Sequence, residues 1–390
     1  MHVAHWTSRI CSIGAVVVVL LAGLVGCSSP LSRLPSERSV EPTASLIEDR
    51  ERFENDTSYF ATSREGEADI RVAIHELGPG GGETKLVFLH GVFADSESWR
   101  YVAGQLASGH DLWLVDSPGC GDSEAPRPST LRPDGYSPGA MADRILQALA
   151  ARLEREPEST RLALIAHSLG GALAIHMLAD PGLERRHGAV IDRIDRAVLL
   201  APLDFAQHKA DSDIRRLATI DGFALSAGSA TGHVQAQCCE MTERGFGDQR
   251  FAVREEAEKR FEILHDGPRR RALQAQLLQA VAFDDDFLPR WEKMERQAEL
   301  YQRIRVPTLI VWGSRDEVLP VAKGYMFRAL IPESELVIVP AAKHSAHLER
   351  PVWTAGAIDA FISGRAIASP ERPAELEPTS QTYVSGDVND

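Results

Sequence analysis

Residues Leu162 to Ala179 read LALIAHSLGGALAIHMLA, and no other stretch restricts the fold of this chain as strongly. Leu162 to Ala166 is a short apolar run, the pattern of a strand buried on both faces. Leu169 to Ala179 reads as a helix that follows at once, with only His167 and Ser168 between. A strand that turns into a helix within one or two residues crowds its own backbone. Ala166, Gly170 and Gly171 keep the flanks small enough for that turn. A serine at such a junction has two readings. As an N-cap it would accept a helix amide. As a nucleophile it would sit on a strained elbow that lifts its oxygen above the sheet. A serine hydroxyl is inert at its ordinary pKa, so the second reading requires a base and an orienting carboxylate elsewhere in the chain.

Further apolar runs supply the rest of a sheet. Ser58–Ser63 and Asp69–Leu77 read as two strands joined by a polar turn, and Lys85–Leu89 and Asp111–Asp116 as buried strands. Arg196–Ala201 follows the elbow helix, and the runs beginning at Pro307 and Glu335 complete the set. Helical segments fall about Ser96–Ala107, Ser137–Glu156, Val321–Leu330 and Pro351–Ile362. Strands alternating with helices predict an α/β fold, a mostly parallel sheet covered on both faces, with its site at the carboxyl ends of the strands. Gly78 to Gly82 precedes a strand rather than a helix, so it reads as a turn and not a phosphate loop.

The segments around this core divide the chain. Arg9 precedes an uncharged apolar run, Ile13 to Gly26, which reads as a signal peptide over residues 1–26. Leu24-Val25-Gly26-Cys27 resembles the lipobox of bacterial lipoproteins, which implies acylation at Cys27 and a membrane held through an N-terminal lipid. An uncleaved anchor is the alternative, since Ile10 to Cys27 is just long enough to span a bilayer. The Ser28 that follows resembles the outer-membrane sorting pattern. Residues 27–57, rich in Ser, Pro, Glu and Arg, predict a flexible tether with a reach of roughly 30 Å. Core residues 58–202 and 306–365 flank an insertion, 203–305, that lacks a convincing strand. There Leu273, Leu277 and Val281 fall on one helical face, so a helical cap is expected. Residues 366–390 read as a disordered tail.

The missing partners are expected at the strand ends. Ser314-Arg315-Asp316-Glu317 follows one run, and Lys343-His344-Ser345-Ala346-His347 follows the next. Ser168, Asp316 and His344 thus each follow a strand, in that order, and the three strands are expected side by side. His347 competes with His344 as the base, and Asp204 with Asp316 as the orienting acid. His90 and His167 flank the site and read as structural histidines; His176 lies on the elbow helix.

Five blocks in order carry a resemblance: His90–Trp99 (HGVFADSESW), Asp116–Ser123 (DSPGCGDS), AHSLGG, Trp312–Pro320 (WGSRDEVLP) and Lys343–Pro351 (KHSAHLERP). Over about residues 58 to 365 the chain resembles the α/β-hydrolases. It departs from them at Ala166 and Lys343, where the family usually has Gly. Ala166 preserves the turn, while an ammonium on Lys343 beside His344 would lower the pKa of the base. The resemblance implies Ser168 as nucleophile, His344 as base and Asp316 as its orienter. It also implies an oxyanion hole from the Val92 and Leu169 amides.

A serine at position 168 argues against epoxide and halide chemistry, which in this fold uses Asp. It argues for acyl transfer on a small-molecule substrate, with carboxylic ester hydrolysis foremost. Amide hydrolysis, carbon–carbon bond hydrolysis and perhydrolysis use similar triads. A binding module without catalysis is the alternative of another class, although all three triad members are present. The chemistry needs no metal or cofactor. Formal net charge is −14, which disfavours a nucleic-acid partner. Cys120, Cys238 and Cys239 lack metal-ligand spacing, and free buried thiols are expected of them.

Overall fold

The computed structural model describes residues 29–39, 57–203, 212–280 and 290–370. Outside the described residues lie the signal peptide, Cys27, most of the expected tether, Asp204, Val281 and most of the expected tail.

Eight strands among the described residues form one sheet in the order β1-β2-β4-β3-β5-β6-β7-β8. They are β1 (Thr57–Thr62), β2 (Ile70–Leu77), β3 (Thr84–Leu89), β4 (Asp111–Val115), β5 (Arg161–His167), β6 (Ile194–Leu200), β7 (Thr308–Gly313) and β8 (Ser334–Val339). β1 and β2 pair antiparallel, as do β2 and β4; every other pairing is parallel. β3, β4, β5 and β7 are buried almost throughout, as the unbroken apolar runs required. The register pairs Leu89 with Ala166, His167 with Leu200, and Gly313 with Val339. The carboxyl ends of these strands therefore finish along one edge. The expectation that the strands before Ser168, Asp316 and His344 are all side by side needs correction, because β6 lies between β5 and β7.

Helices α1 (Arg100–Leu106), α2 (Pro138–Leu153), α3 (Leu169–Ala179) and α4 (Pro181–Ile191) belong to the first half of the core. α4 is capped by Asp180, which accepts from the Gly182 and Leu183 amides, with Pro181 opening the helix. One face of the sheet packs Ile145, Leu149, Leu173 and Phe327 against Val87, Leu164 and Ile310. The other packs Val102, Leu106, Ile358 and Phe361 against Leu86, Ile165 and Leu309.

Between β6 and β7 the described residues form helices α5 (Ser212–Thr219), α6 (Gly222–Ala230), α7 (His233–Gly245), α8 (Arg254–His265), α9 (Gly267–Ala280) and α10 (Trp291–Tyr301). These helices bury a core of their own from Leu217, Leu225, Val234, Cys238, Leu264, Leu273 and Leu277. After β7 come α11 (Ala322–Leu330), α12 (Ala346–Glu349) and α13 (Pro351–Ile362).

A flexible tether over residues 27–57 was expected, yet Ser29–Ser39 is docked. Two 3₁₀ turns, Pro30–Arg33 and Glu37–Ser39, lie against α7 and α8. Leu34 is buried in the core of the helical insertion. Glu37 is buried beside Arg100, whose Nε donates to its carboxylate at 2.8 Å. One apolar side chain and one buried ion pair offset the entropy that a Ser- and Pro-rich segment otherwise keeps.

Candidate active site

β5 ends at His167 and α3 begins at Leu169, so Ser168 alone makes the turn. Its backbone is strained, at φ 51° and ψ −114°. The Ser168 amide donates to Leu200 O at 3.1 Å, and its carbonyl accepts from Leu203 N at 2.7 Å. β6 thereby fixes the turn from beside it. The hydroxyl caps no helix amide. The N-cap reading of this serine is thus not the one the fold uses. A Cβ at Gly170 would stand 2.2 Å from Leu89 O, so only glycine lets α3 start this close to the end of β3. Among the described residues, four non-glycine residues have positive φ: Phe93, Ser168, Ala201 and Ala341. All four sit just past the carboxyl end of a strand.

His344 and Asp316 meet on adjacent loops. His344 Nδ1 lies 2.8 Å from Asp316 Oδ2, and both side chains are buried. Asp316 Oδ1 accepts from the Val318 and Leu319 amides, each at 2.8 Å. The carboxylate is therefore held on one oxygen and free to orient the imidazole with the other. A carboxylate only accepts, so Nδ1 carries the proton and Nε2 is left as the acceptor. The two loops come this close because position 313 is glycine: a Cβ there would stand 2.0 Å from Lys343 O. Glu349 secures the His344 loop. It accepts from Lys343 N at 2.8 Å, and from Gly247 N at 2.7 Å and Asp248 N at 3.0 Å. Sequence reasoning overlooked this role, although Glu349 lies within the HLERP block.

The other histidines do different things. His347 is 1% exposed, and neither ring nitrogen has a hydrogen-bond partner. Its ring packs on Trp99 and His167, with centroids 4.6 and 4.4 Å away. Burial pushes its pKa down to about 3. Burial, with His347 and His344 nearby, also holds His167 well below the usual imidazole value. His167 Nε2 lies 3.1 Å from His344 O. His90 is spent on local backbone, with Nδ1 2.8 Å from Gly91 O and Nε2 accepting from Ser117 N at 3.0 Å. His176 Nδ1 is 3.4 Å from Asp180 Oδ2 on the flank of α3. Asp204 lies outside the described residues.

Two amides stand just past neighbouring strand ends. Leu169 is the first residue of α3, so its N–H has no partner within the helix. Val92 follows His90-Gly91 at the end of β3, and its N–H donates to no described residue. The Lys343 ammonium is 3.1 Å from Glu317 Oε1, so its charge is engaged away from the imidazole.

His75, Asp116 and Asp122 converge, with His75 Nε2 3.0 Å from Asp116 Oδ2 and 3.8 Å from Asp122 Oδ2. Asp116 already accepts from Ser96 N and Asp122 N, each at 2.7 Å. Its oxygens are occupied by backbone, and the cluster braces the Asp116–Ser123 loop rather than offering open ligands. Cys120, Cys238 and Cys239 are free thiols, and burial pushes the first two up to about 12.

A cavity of about 390 Å³ opens between the β3 loop and the helical insertion. Phe93, Asp95, Gln276 and Leu273 line it, together with Lys259 of α8 and Glu37 of the docked segment. Ser168, Asp316 and His344 are not among its lining residues.

Residues 86–357 match the model of the Alpha/beta hydrolase family. The chain is 26% identical over 290 residues to a Mycobacterium tuberculosis protein, covering 72% of this chain and 76% of that one. It is 28% identical over 307 residues to 2-hydroxy-6-oxononadienedioate/2-hydroxy-6-oxononatrienedioate hydrolase 2 of Pseudomonas putida, covering 76% and 93%. Among solved structures, it superimposes on the esterase RhEst1 from Rhodococcus sp. ECU1013 with a TM-score of 0.59 and 21% identity. That match spans 80% of this chain and 100% of the esterase.

Proposed function

Because the chain belongs to the alpha/beta hydrolase family, we propose that this hydrolase cleaves a carboxylic ester with Ser168, His344 and Asp316. The observation that carries the reading is the 2.8 Å contact from His344 Nδ1 to a carboxylate held by two amides. It stands at the strand edge where Ser168 has a strained backbone.

The mechanism follows from these groups. Ser168 Oγ attacks the carbonyl carbon as its proton passes to His344 Nε2. Asp316 stabilises the imidazolium that forms. The carbonyl oxygen becomes an oxyanion, which accepts from the Val92 and Leu169 amides. Collapse of the tetrahedral intermediate breaks the bond to the alkoxy oxygen. That oxygen takes the proton from His344 and leaves as the alcohol. Water then attacks the acyl-enzyme while His344 takes one of its protons. The second collapse returns the proton to Ser168 and releases the acid. The Ser168 hydroxyl has no hydrogen-bond partner among the described residues. Its contact with His344 closes when substrate is bound.

A fluorophosphonate probe tests this directly. Labelling at Ser168, lost in His344→Ala, supports it; labelling at another serine refutes it. The 28% identity to the Pseudomonas putida hydrolase favours carbon–carbon bond hydrolysis as a second reading. Turnover of a 2-hydroxy-6-oxo dienoate ahead of any ester would select that reading.

The position in the cell belongs to the same proposal. The lipobox-like Leu24-Val25-Gly26-Cys27 supports a lipid-anchored protein of the bacterial envelope. No helix among the described residues is long and apolar enough to cross a membrane. Cys27→Ser, correctly exported, loses its membrane association; tight binding by that variant would point to a spanning anchor.

A further inference from the structure

The docked N-terminal segment fixes where the anchor attaches. Arg33 pairs with Glu243 at 2.9 Å, and the Leu34 and Pro35 carbonyls accept from Arg254. Ser36 Oγ and the Glu37 amide donate to Glu255 at 2.7 and 2.8 Å. Pro30 lies against the α6–α7 turn: a Cβ on Gly232 would stand 3.3 Å from its ring. Ser29 is thus held on the helical insertion, and Cys27 precedes it by two residues. Two residues reach at most ~7 Å. Either form of anchor, a lipid on Cys27 or an uncleaved apolar run ending at Gly26, brings the bilayer to the same place.

The surface at that place is unusual for this chain. α6, GFALSAGSA, has no charged residue, although 25% of the chain is charged. Only Leu225 of this helix is buried. Ala224, Ser226, Ala227 and Ala230 are exposed, and Phe223 is 86% exposed. Nine residues make a helix about 13 Å long, so Phe223, at its first turn, stands about 14 Å along the helix axis from the Gly232 turn that meets Pro30.

We infer that the outer face of α6, beside the docked Pro30, rests on the bilayer that holds the N-terminus, with Phe223 inserted at the headgroup boundary. The argument joins chain length to surface chemistry: the anchor has no slack, and an uncharged helix with a protruding ring stands at its attachment point. Insertion of an apolar ring needs no positive charge, which suits a protein of net charge −14. The enzyme then lies with its helical insertion toward the lipid, and esters of the membrane itself become its substrate class. That last step rests on the ester-hydrolase reading.

The test uses the full anchored chain in vesicles of phosphatidylethanolamine and phosphatidylglycerol. An environment-sensitive nitrobenzoxadiazole label is placed at Phe223→Cys or, as control, at Val352→Cys on α13, where Val352 is 65% exposed. The unsubstituted chain is the blank for native thiols. The label at 223 shifts to the blue and is quenched by spin-labelled lipid; the label at 352 does neither. Equal behaviour at the two positions overturns the orientation. So does a label at 223 shielded equally without vesicles in a dimeric protein, which would assign α6 to a second copy of the chain. Phe223→Asp separates orientation from chemistry. It leaves turnover of a soluble short-chain ester unchanged and lowers turnover of an ester phospholipid in vesicles ~tenfold. A parent chain that hydrolyses neither ester removes the ester reading, while the two labels still decide the orientation.

Discussion

His344 Nδ1 contacts Asp316 Oδ2 at 2.8 Å, across two loops that leave neighbouring strands, β7 and β8. Removing either partner, or Ser168, should end turnover without unfolding the chain. Ser168→Ala and His344→Ala should each lower kcat/KM by about 10⁴-fold or more, and Asp316→Asn by a similar factor through the wrong tautomer. Steady-state kinetics with matched thermal unfolding curves measures this. An active His344→Ala would remove the assignment of the base.

His347 gives the opposite expectation. Its ring is buried, unpartnered and held at a pKa of about 3, against 6.5 when exposed. Between those values the unfolded chain binds the proton and the folded chain does not. Stability is therefore full above about pH 6.5 and falls as the pH drops toward 3, by up to about 1.4 kcal/mol per pH unit for each such group. His347→Phe should retain activity and flatten that slope, since an apolar ring fills the place with no orphaned nitrogen. Chemical denaturation at a series of pH values is the check, and an unchanged slope would leave His167 as its source.

Gly313→Ala should be costly for so small a change. Its Cβ would press on Lys343 O and Ala342 O, backbone that cannot swing away. A loss of about 1–3 kcal/mol is expected, with a larger fall in kcat than stability explains, because the His344 loop must shift. Normal kcat in this variant would mean that the two loops tolerate separation.

Glu37→Ala tests the docked segment. It deprives buried Arg100 of one carboxylate and leaves only Glu256, 3.0 Å away. The expected cost is on the order of 3 kcal/mol. Trypsin should then cut after Arg33 or Arg38 before it cuts the core. Equal protection of both chains would show that Leu34 alone retains the segment.

What was readable in the sequence was local. The elbow needs only one strand, one serine and small neighbours, so Ser168 stood out, whereas Val92 and Leu169 were implied only by the family resemblance. Asp316 and His344 were found because each follows an apolar run directly. The order of strands was less legible. β6 lies between β5 and β7 through pairing of distant segments, which no local pattern encodes. The docking of Ser29–Ser39 was hidden for another reason. Its composition is that of a tether, and it is held by Leu34 burial together with contacts of Arg33, Ser36 and Glu37 to partners that the local sequence does not reveal. α4 was overlooked although its start was written in Asp180-Pro181, a capping side chain followed by a helix-opening proline.

The separation between Arg33 and Glu243 is 210 residues. The part of the segment that meets α7 and α8 therefore has nothing to dock on until those helices have been made, although Arg100, the partner of Glu37, is only 63 residues away. Chain order and assembly order run in opposite directions at this seam. Closure of the Arg33–Glu243 pair thus comes only after α7 has been made.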